Sequence, residues 1–159
     1  MDVGLLVLQE LARRGVVTAR YIHLVTPGMN RERELSRFRN SLELQWDYYG
    51  PFGFAAVLAE ADEPMLDLSR KVTGQTLLDK HVALFGTPAE VAEQIMKIKE
   101  SCGYDDFMFH AWFETGGFEG REVEDQMRIF AEEVRPLIAR ACGGQKENPP
   151  LGVDFDPQR

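Results

Sequence analysis

Gly86-Thr87-Pro88-Ala89-Glu90-Val91-Ala92-Glu93-Gln94-Ile95 decides how this chain is read. The stretch spells out the start of a helix. The Thr87 hydroxyl can accept a hydrogen bond from a free amide of the first turn, which is the role of an N-cap. Pro88 falls at the first helical position, where a missing N–H costs nothing. Glu90, three residues after the cap, completes a capping box. Apolar residues then recur at Val91, Ile95, Ile98 and Cys102, a spacing that lays one stripe along one face. Gly103 stands where a left-handed C-cap belongs. The spacing predicts a helix from Pro88 to Cys102.

Outward from this helix, two strands are expected. Val16 to Val25 is rich in β-branched and aromatic residues and lies between Gly15 and the turn Thr26-Pro27-Gly28. It reads as a buried strand. Asp105 to Phe113 reads as the second. Between the first strand and the capped helix, Asn30 caps a helix whose apolar positions are Leu35, Phe38, Leu42, Trp46 and Tyr49, with Gly50-Pro51 as its stop. Its other face, with Arg31, Glu32, Arg33, Arg37 and Arg39, reads as solvated. Short helices are expected at Phe54 to Glu60, Pro64 to Lys71 and Gln75 to His81, the last two split by Gly74. Val82 to Phe85 is a short extended run.

At the ends of the chain, Asp2 can cap a first helix with Leu5, Leu8, Leu11 and Ala12 on its apolar face and Gly15 at its end. A last helix is expected from Glu122 to Ala141, its stripe formed by Val123, Met127, Phe130, Val134, Leu137 and Ala141. Pro136 lies inside it and should kink it, because proline removes a ladder bond. Gln145 to Arg159 holds three prolines and little apolar content. The expected organisation is one domain over 1–142 and a disordered tail over 143–159.

Composition narrows the class. The 159 residues are 44% hydrophobic and 28% charged, which is ordinary for a globular domain. Net charge is −8, from 26 acids and 18 bases. Such a chain is a poor partner for nucleic acid or an anionic membrane, and any phosphate site has to be arranged locally. Cys102 and Cys142 are too few for a disulfide scaffold and lack metal-ligand spacing, so reduced thiols are expected. No metal set is expected, since the three histidines are far apart in sequence and no carboxylate–histidine pair has ligand spacing. No apolar run reaches the roughly 20 residues of a membrane span. Val3 to Leu8 follows Asp2 rather than a basic flank, so it does not read as a signal peptide. The expected compartment is the cytoplasm.

The order of elements is helix, strand, helical excursion, capped helix, strand, helix. Two strands apolar on both faces and separated by a helix are the pattern of parallel strands in an α/β fold. Two or three strands leave bare sheet edges. The sequence therefore reads as part of a larger sheet, completed either by the rest of a barrel or by another chain.

The residues also resemble a known family. Gly86 to Ile95, then Gly103, the strand Phe107 to Phe113 and the helix Gln126-Met127-Arg128-Ile129-Phe130-Ala131-Glu132-Glu133-Val134-Arg135-Pro136-Leu137 are similar to the C-terminal part of bacterial luciferase-like flavin-dependent monooxygenases. The resemblance runs from about Val16 to Ala141. It implies the C-terminal portion of a TIM-type (β/α)8 barrel, a fold that takes about 250 residues. The two strands would be the seventh and eighth, the first five or so would be absent, and Pro27 to Gly86 would be a long helical insertion after the seventh. The implied reaction uses reduced FMN, often supplied by a separate flavin reductase, with oxygen and a small organic, apolar substrate. Some relatives use a deazaflavin and transfer hydride. The family's flavin-phosphate contacts lie mostly in the part not present, and Gly116-Gly117 is too weak a signal for a phosphate loop.

Barrel sites lie at the C-terminal ends of strands. That singles out His110 as a proton donor or hydrogen-bond partner and Trp112, on the same face by period two, as pocket wall. Tyr21 and His23 share a face of the first strand and are candidates for the substrate pocket, with Arg20 opposite. Trp46, Tyr48, Tyr49, Phe52 and Phe54 form an aromatic cluster around Gly50-Pro51, either a lid wall for an apolar substrate or, the favoured reading, one in which Trp46 and Tyr49 are helix core. The alternative to an oxygenase subunit is a non-catalytic truncated barrel module that acts by association or weak flavin binding. A third reading is an α/β interaction domain unrelated to flavin.

Overall fold

Val16–Leu24 forms β1, the middle strand of a three-stranded parallel sheet among the residues described in this computed structural model, namely 16–52, 58, 71–102, 107–113 and 115–143. After it come α1 (Arg31–Tyr49), a 3-10 turn at Gly50–Phe52, α2 (Gly74–Asp79), β2 (Ala83–Gly86), α3 (Pro88–Cys102) and β3 (Phe107–Trp112). The last helix is α4 (Gly120–Ile129), a π turn at Phe130–Val134 and α5 (Arg135–Ala141). The strand order is β2-β1-β3. The two neighbours are staggered: β2 pairs with the C-terminal half of β1, Tyr21 opposite Ala83, while β3 pairs with Val16 to Tyr21, Trp112 opposite Tyr21. The chain is thus a parallel α/β structure, as its pattern implies.

The corner before α3 forms as its residues dictate. Glu90 N–H donates to the Thr87 hydroxyl at 3.3 Å, and Thr87 N–H donates to the Glu90 carboxylate at 2.7 Å. Gly86 makes room for this. Its φ is +150°, and a Cβ there would stand 2.6 Å from the Glu90 carboxylate. Along α3, Val91, Ala92, Ile95 and Ile98 are buried. They pack on one face of the sheet against Ile22, Leu24 and Leu84, with Ile129 and Val134 from the last helix. Each of the valine, leucine and isoleucine side chains contributes roughly 1.5–3 kcal/mol when fully removed from water.

The opposite face of β1 and β2 is covered by α1 and α2. Tyr21 and Ala83 meet Phe38, Leu42 and Trp46 of α1, Leu77 of α2, and Leu58. Asn30 caps α1 through a bond from Arg33 N–H at 3.0 Å. The guanidinium-rich face of α1 is not simply solvated. Arg31 forks onto Glu90 at 2.8 and 3.1 Å, tying α1 to the start of α3. Arg37 reaches Glu122 of α4 at 2.9 Å.

The last helix departs from its expected form. Met127 and Ala141 belong to the expected buried stripe, yet Met127 is 53% exposed and Ala141 is exposed. Gln126, Ile129 and Val134 are the buried positions. Ile129 and Val134 are five residues apart, about 140° out of phase on an α-helix. The π turn brings both inward, with Arg135 N–H donating to the Phe130 carbonyl. Pro136 follows directly, so the donor it lacks falls where the ladder is already rearranged.

Gly74 is the first residue of α2, which Thr73 caps. The expected first helix, Phe54 to Glu60 apart from Leu58, Pro64 to Arg70, Gly103 and the tail beyond Gly143 lie outside the described residues.

Candidate functional site

At the C-terminal end of β3 the structure opens into a cavity of about 1050 Å3. His110 and Trp112, alternate residues of one strand face, form one wall. The turn Thr115-Gly116-Gly117-Phe118 forms the rim, Val123, Glu124 and Met127 of α4 the floor, and Gln45 of α1 the far side. The strand hands over to α4 through Glu119, whose N–H donates to the Glu122 carboxylate at 3.0 Å while its carbonyl accepts from Val123 N–H at 3.1 Å. The loop is thereby held at its helical end, and at its strand end by buried Thr115.

His110 is exposed, and its ring lies 6.2 Å from that of Trp112 in a stacked arrangement. Trp112 is 37% exposed, so its indole face is available to a ligand. Tyr21 stands behind it, ring centroids 5.5 Å apart, and is itself enclosed. Burial pushes the Tyr21 phenol up, with Tyr49 adding to the shift.

His23 is placed elsewhere. It is 5% exposed and sits in an aromatic cage: Phe118 at 4.9 Å, Phe38 at 5.2 Å and Phe85 at 6.0 Å between ring centroids. Its Nε2 lies 3.2 Å from the Glu34 carboxylate. An ionised carboxylate only accepts, so Nε2 carries the proton. Arg37 joins Glu34 to Glu122 and lays its guanidinium over the Phe118 ring at 4.7 Å. Burial holds the His23 pKa below its ordinary value, although the Glu34 hydrogen bond opposes the shift. The Glu119 N–H, then the Arg37 guanidinium, hold the Glu122 carboxyl below its usual range.

The structure therefore brings His110 and Trp112 together in the cavity wall, with Tyr21 as backing. His23 is in a separate compartment behind Phe118. It leaves the pocket because α1 packs on the face of β1 that carries Tyr21 and His23, through Phe38, Leu42 and Trp46. Sequence reasoning missed three residues. Arg37 and Phe118 gave no local signal beyond the Glu34–Arg37 spacing. Gln126 was legible as a lone amide three residues before Ile129, and it is bonded to the backbone of Leu24 on both sides.

The cavity wall suits an aromatic ring system, with Trp112 and Phe118 as stacking faces. It does not suit a phosphate. Its described lining holds one carboxylate, Glu124, and no Lys or Arg. Among the described residues no group of three or more His, Cys, Asp or Glu stands ready to hold a metal ion, and no helix is long and apolar enough to cross a membrane. No protein-family model, no curated protein and no solved structure matches this chain.

Proposed function

We propose that this chain is the C-terminal βα portion of a luciferase-like flavin-dependent oxidoreductase, a TIM-type barrel enzyme that oxidises an organic, apolar substrate with reduced flavin and oxygen. The observation that carries the reading is the cavity at the C-terminal end of β3, the place where (β/α)8 barrels keep their sites, walled by His110 and Trp112. β1 and β3 are parallel neighbours with α3 between them, as neighbouring barrel strands would be; β2, which also intervenes in sequence, pairs with the other edge of β1 and belongs in this reading to the insertion.

In this reading the chain supplies the ring end of the flavin pocket. Trp112 offers a stacking face, and His110 offers a ring nitrogen to hold or give a proton near the reacting atoms. Flavin, when bound, supplies the redox chemistry. Its phosphate contacts belong to residues outside the described lining. Exclusion of water needs the rest of the sheet, because this side of the cavity is open.

The test is a titration of the chain with FMN, and in parallel with a deazaflavin, followed by visible absorbance and by quenching of tryptophan emission. A perturbed flavin spectrum that is lost in Trp112→Ala supports the reading. A spectrum identical to free flavin at every protein concentration rejects flavin binding by this chain.

A second reading, association without catalysis, rests on the same face. Met108 is 62% exposed, and Leu44 and Met127 are also largely exposed near the cavity. Sedimentation of the wild type against Met108→Lys distinguishes it: a self-association lost in the variant, with no flavin binding, favours this reading.

A further inference from the structure

Phe118 is shared between two environments that are otherwise separate. Its ring lines the cavity with His110 and Trp112. The same ring lies 4.9 Å from that of His23, centroid to centroid, and carries the Arg37 guanidinium at 4.7 Å. Phe118 is thus the partition between the open cavity and a buried imidazole–carboxylate pair.

The segment that carries it has two glycines between held ends. Buried Thr115 anchors one end and the Glu119–Glu122 contact the other. Between them lie Gly116 and Gly117. Gly117 has φ +88°, which favours glycine, and a Cβ there would meet nothing within 4 Å. The turn therefore has open space around it. The pair it hides is already arranged for proton transfer. Glu34 orients His23 from the α1 side at 3.2 Å, and Arg37 ties Glu34 to Glu122 of α4. Among the described residues the other rings packed against the imidazole, Phe38 and Phe85, are apolar. A histidine held by a carboxylate is the usual arrangement of a general base.

We propose that Phe118 is a gate, and that its swing on Gly116-Gly117 opens the cavity onto the His23–Glu34 pair, which is a concealed proton-transfer group of this site. The proposal rests on the reading of the cavity as the binding site but not on flavin. The ligand it serves is an apolar molecule with an ionisable or hydrogen-bonding group directed past Phe118. Access to the imidazole is what the gate controls, so access is what the experiment reads.

The probe is diethyl pyrocarbonate, which acylates unprotonated imidazole, with each histidine followed by peptide mass spectrometry. Exposed His81 and His110 serve as internal references. In the wild type His23 is expected to react slowly, at a rate insensitive to low urea, because local opening rather than global unfolding exposes it. Phe118→Ala is expected to raise that rate roughly tenfold, leave His81 unchanged, and move the midpoint of the rate's pH dependence up toward an ordinary histidine. Gly116→Ala is expected to slow it. If Phe118→Ala does not fold, Phe118→Leu gives the same readout with a smaller rise. Equal His23 rates in the wild type and the Phe118 variant, both tracking global unfolding in urea, overturn the proposal. Since no flavin is present, this outcome is separate from a failed flavin titration.

Discussion

Gln126 holds the backbone of Leu24 from 102 residues away. Its Oε1 accepts from Leu24 N–H at 2.6 Å, and its Nε2 donates to the Leu24 carbonyl at 3.0 Å. The register explains why it is needed. β3 ends opposite Tyr21, so β1 runs on past its partner, and a side-chain amide takes the place of the missing strand. Both groups are buried, and a buried backbone group without a partner costs about 1–3 kcal/mol.

Gln126→Leu is therefore expected to lower unfolding stability by about 2 kcal/mol or more, since two backbone groups lose their partner. Gln126→Glu keeps the acceptor for Leu24 N–H but sets a carboxylate against the Leu24 carbonyl. It should be destabilising at neutral pH and partly recover in acid, as the carboxyl gains a proton to donate. Urea unfolding midpoints at two pH values check both variants.

His23 makes stability depend on pH. Its folded pKa lies below the ordinary value, chiefly through burial, with Glu34, Arg37 and Glu122 facing it. The unfolded state then binds more protons than the folded state as pH falls below about 6.5. The stability associated with this group is fully present above that pH and declines as the pH drops through the folded value. His23→Gln should flatten this limb of the profile. Thermal melts across mildly acidic pH, wild type against variant, measure it.

The Glu90 corner divides into a strong and a weak part. The Arg31 guanidinium, then Thr87 N–H, hold the Glu90 carboxyl down at about 2 against an ordinary value of 4.5. Its contribution is present above the ordinary value and lost as pH falls toward 2. The ion pair is about half exposed on both sides, so Arg31→Ala is expected to cost less than about 1 kcal/mol and to matter less in salt. Thr87→Ala removes the cap itself and is expected to cost about 1 kcal/mol irrespective of salt. Denaturant titrations at low and high ionic strength separate the two.

The π turn carries one residue more than an α turn needs. Deleting exposed Glu132 should convert it to α-helix while leaving Ile129 and the following buried position inward, a tolerated change. Val134→Ala, at a position with no exposure, should cost about 1–3 kcal/mol through the cavity it leaves. If the deletion proves the worse of the two, the turn is required by Pro136 rather than by the stripe. Circular dichroism melts of both variants decide.

The helix Pro88–Cys102 was legible to the residue because every signal lies within its own turns: cap, proline, capping box and stripe. The strands were legible nearly as well, Val16–Leu24 against Val16 to Val25 and Phe107–Trp112 against Asp105 to Phe113. For the candidate site, period two placed His110 and Trp112 on a common face, and the structure keeps them there. The same rule paired Tyr21 with His23 but could not say what would cover them. The last helix was found, and Phe130, Val134 and Leu137 of its stripe do face the core, but Met127 and Ala141 are exposed and Gln126 and Ile129 are buried in addition. A constant period of 3.6 cannot represent a turn that adds a residue.

By itself, then, the sequence determined the elements, the parallel α/β class and the capped corner, because hydrogen bonds within a turn and the alternation of apolar residues are short-range effects. Only the tertiary structure decided that α1 lies on the Tyr21 and His23 face, that Arg37 bridges to Glu122, that Phe118 stands between His23 and the cavity, and that Gln126 completes β1. Each of these joins residues distant in the chain. Their partners are selected by packing and by the need to satisfy buried polar groups, which no local pattern records.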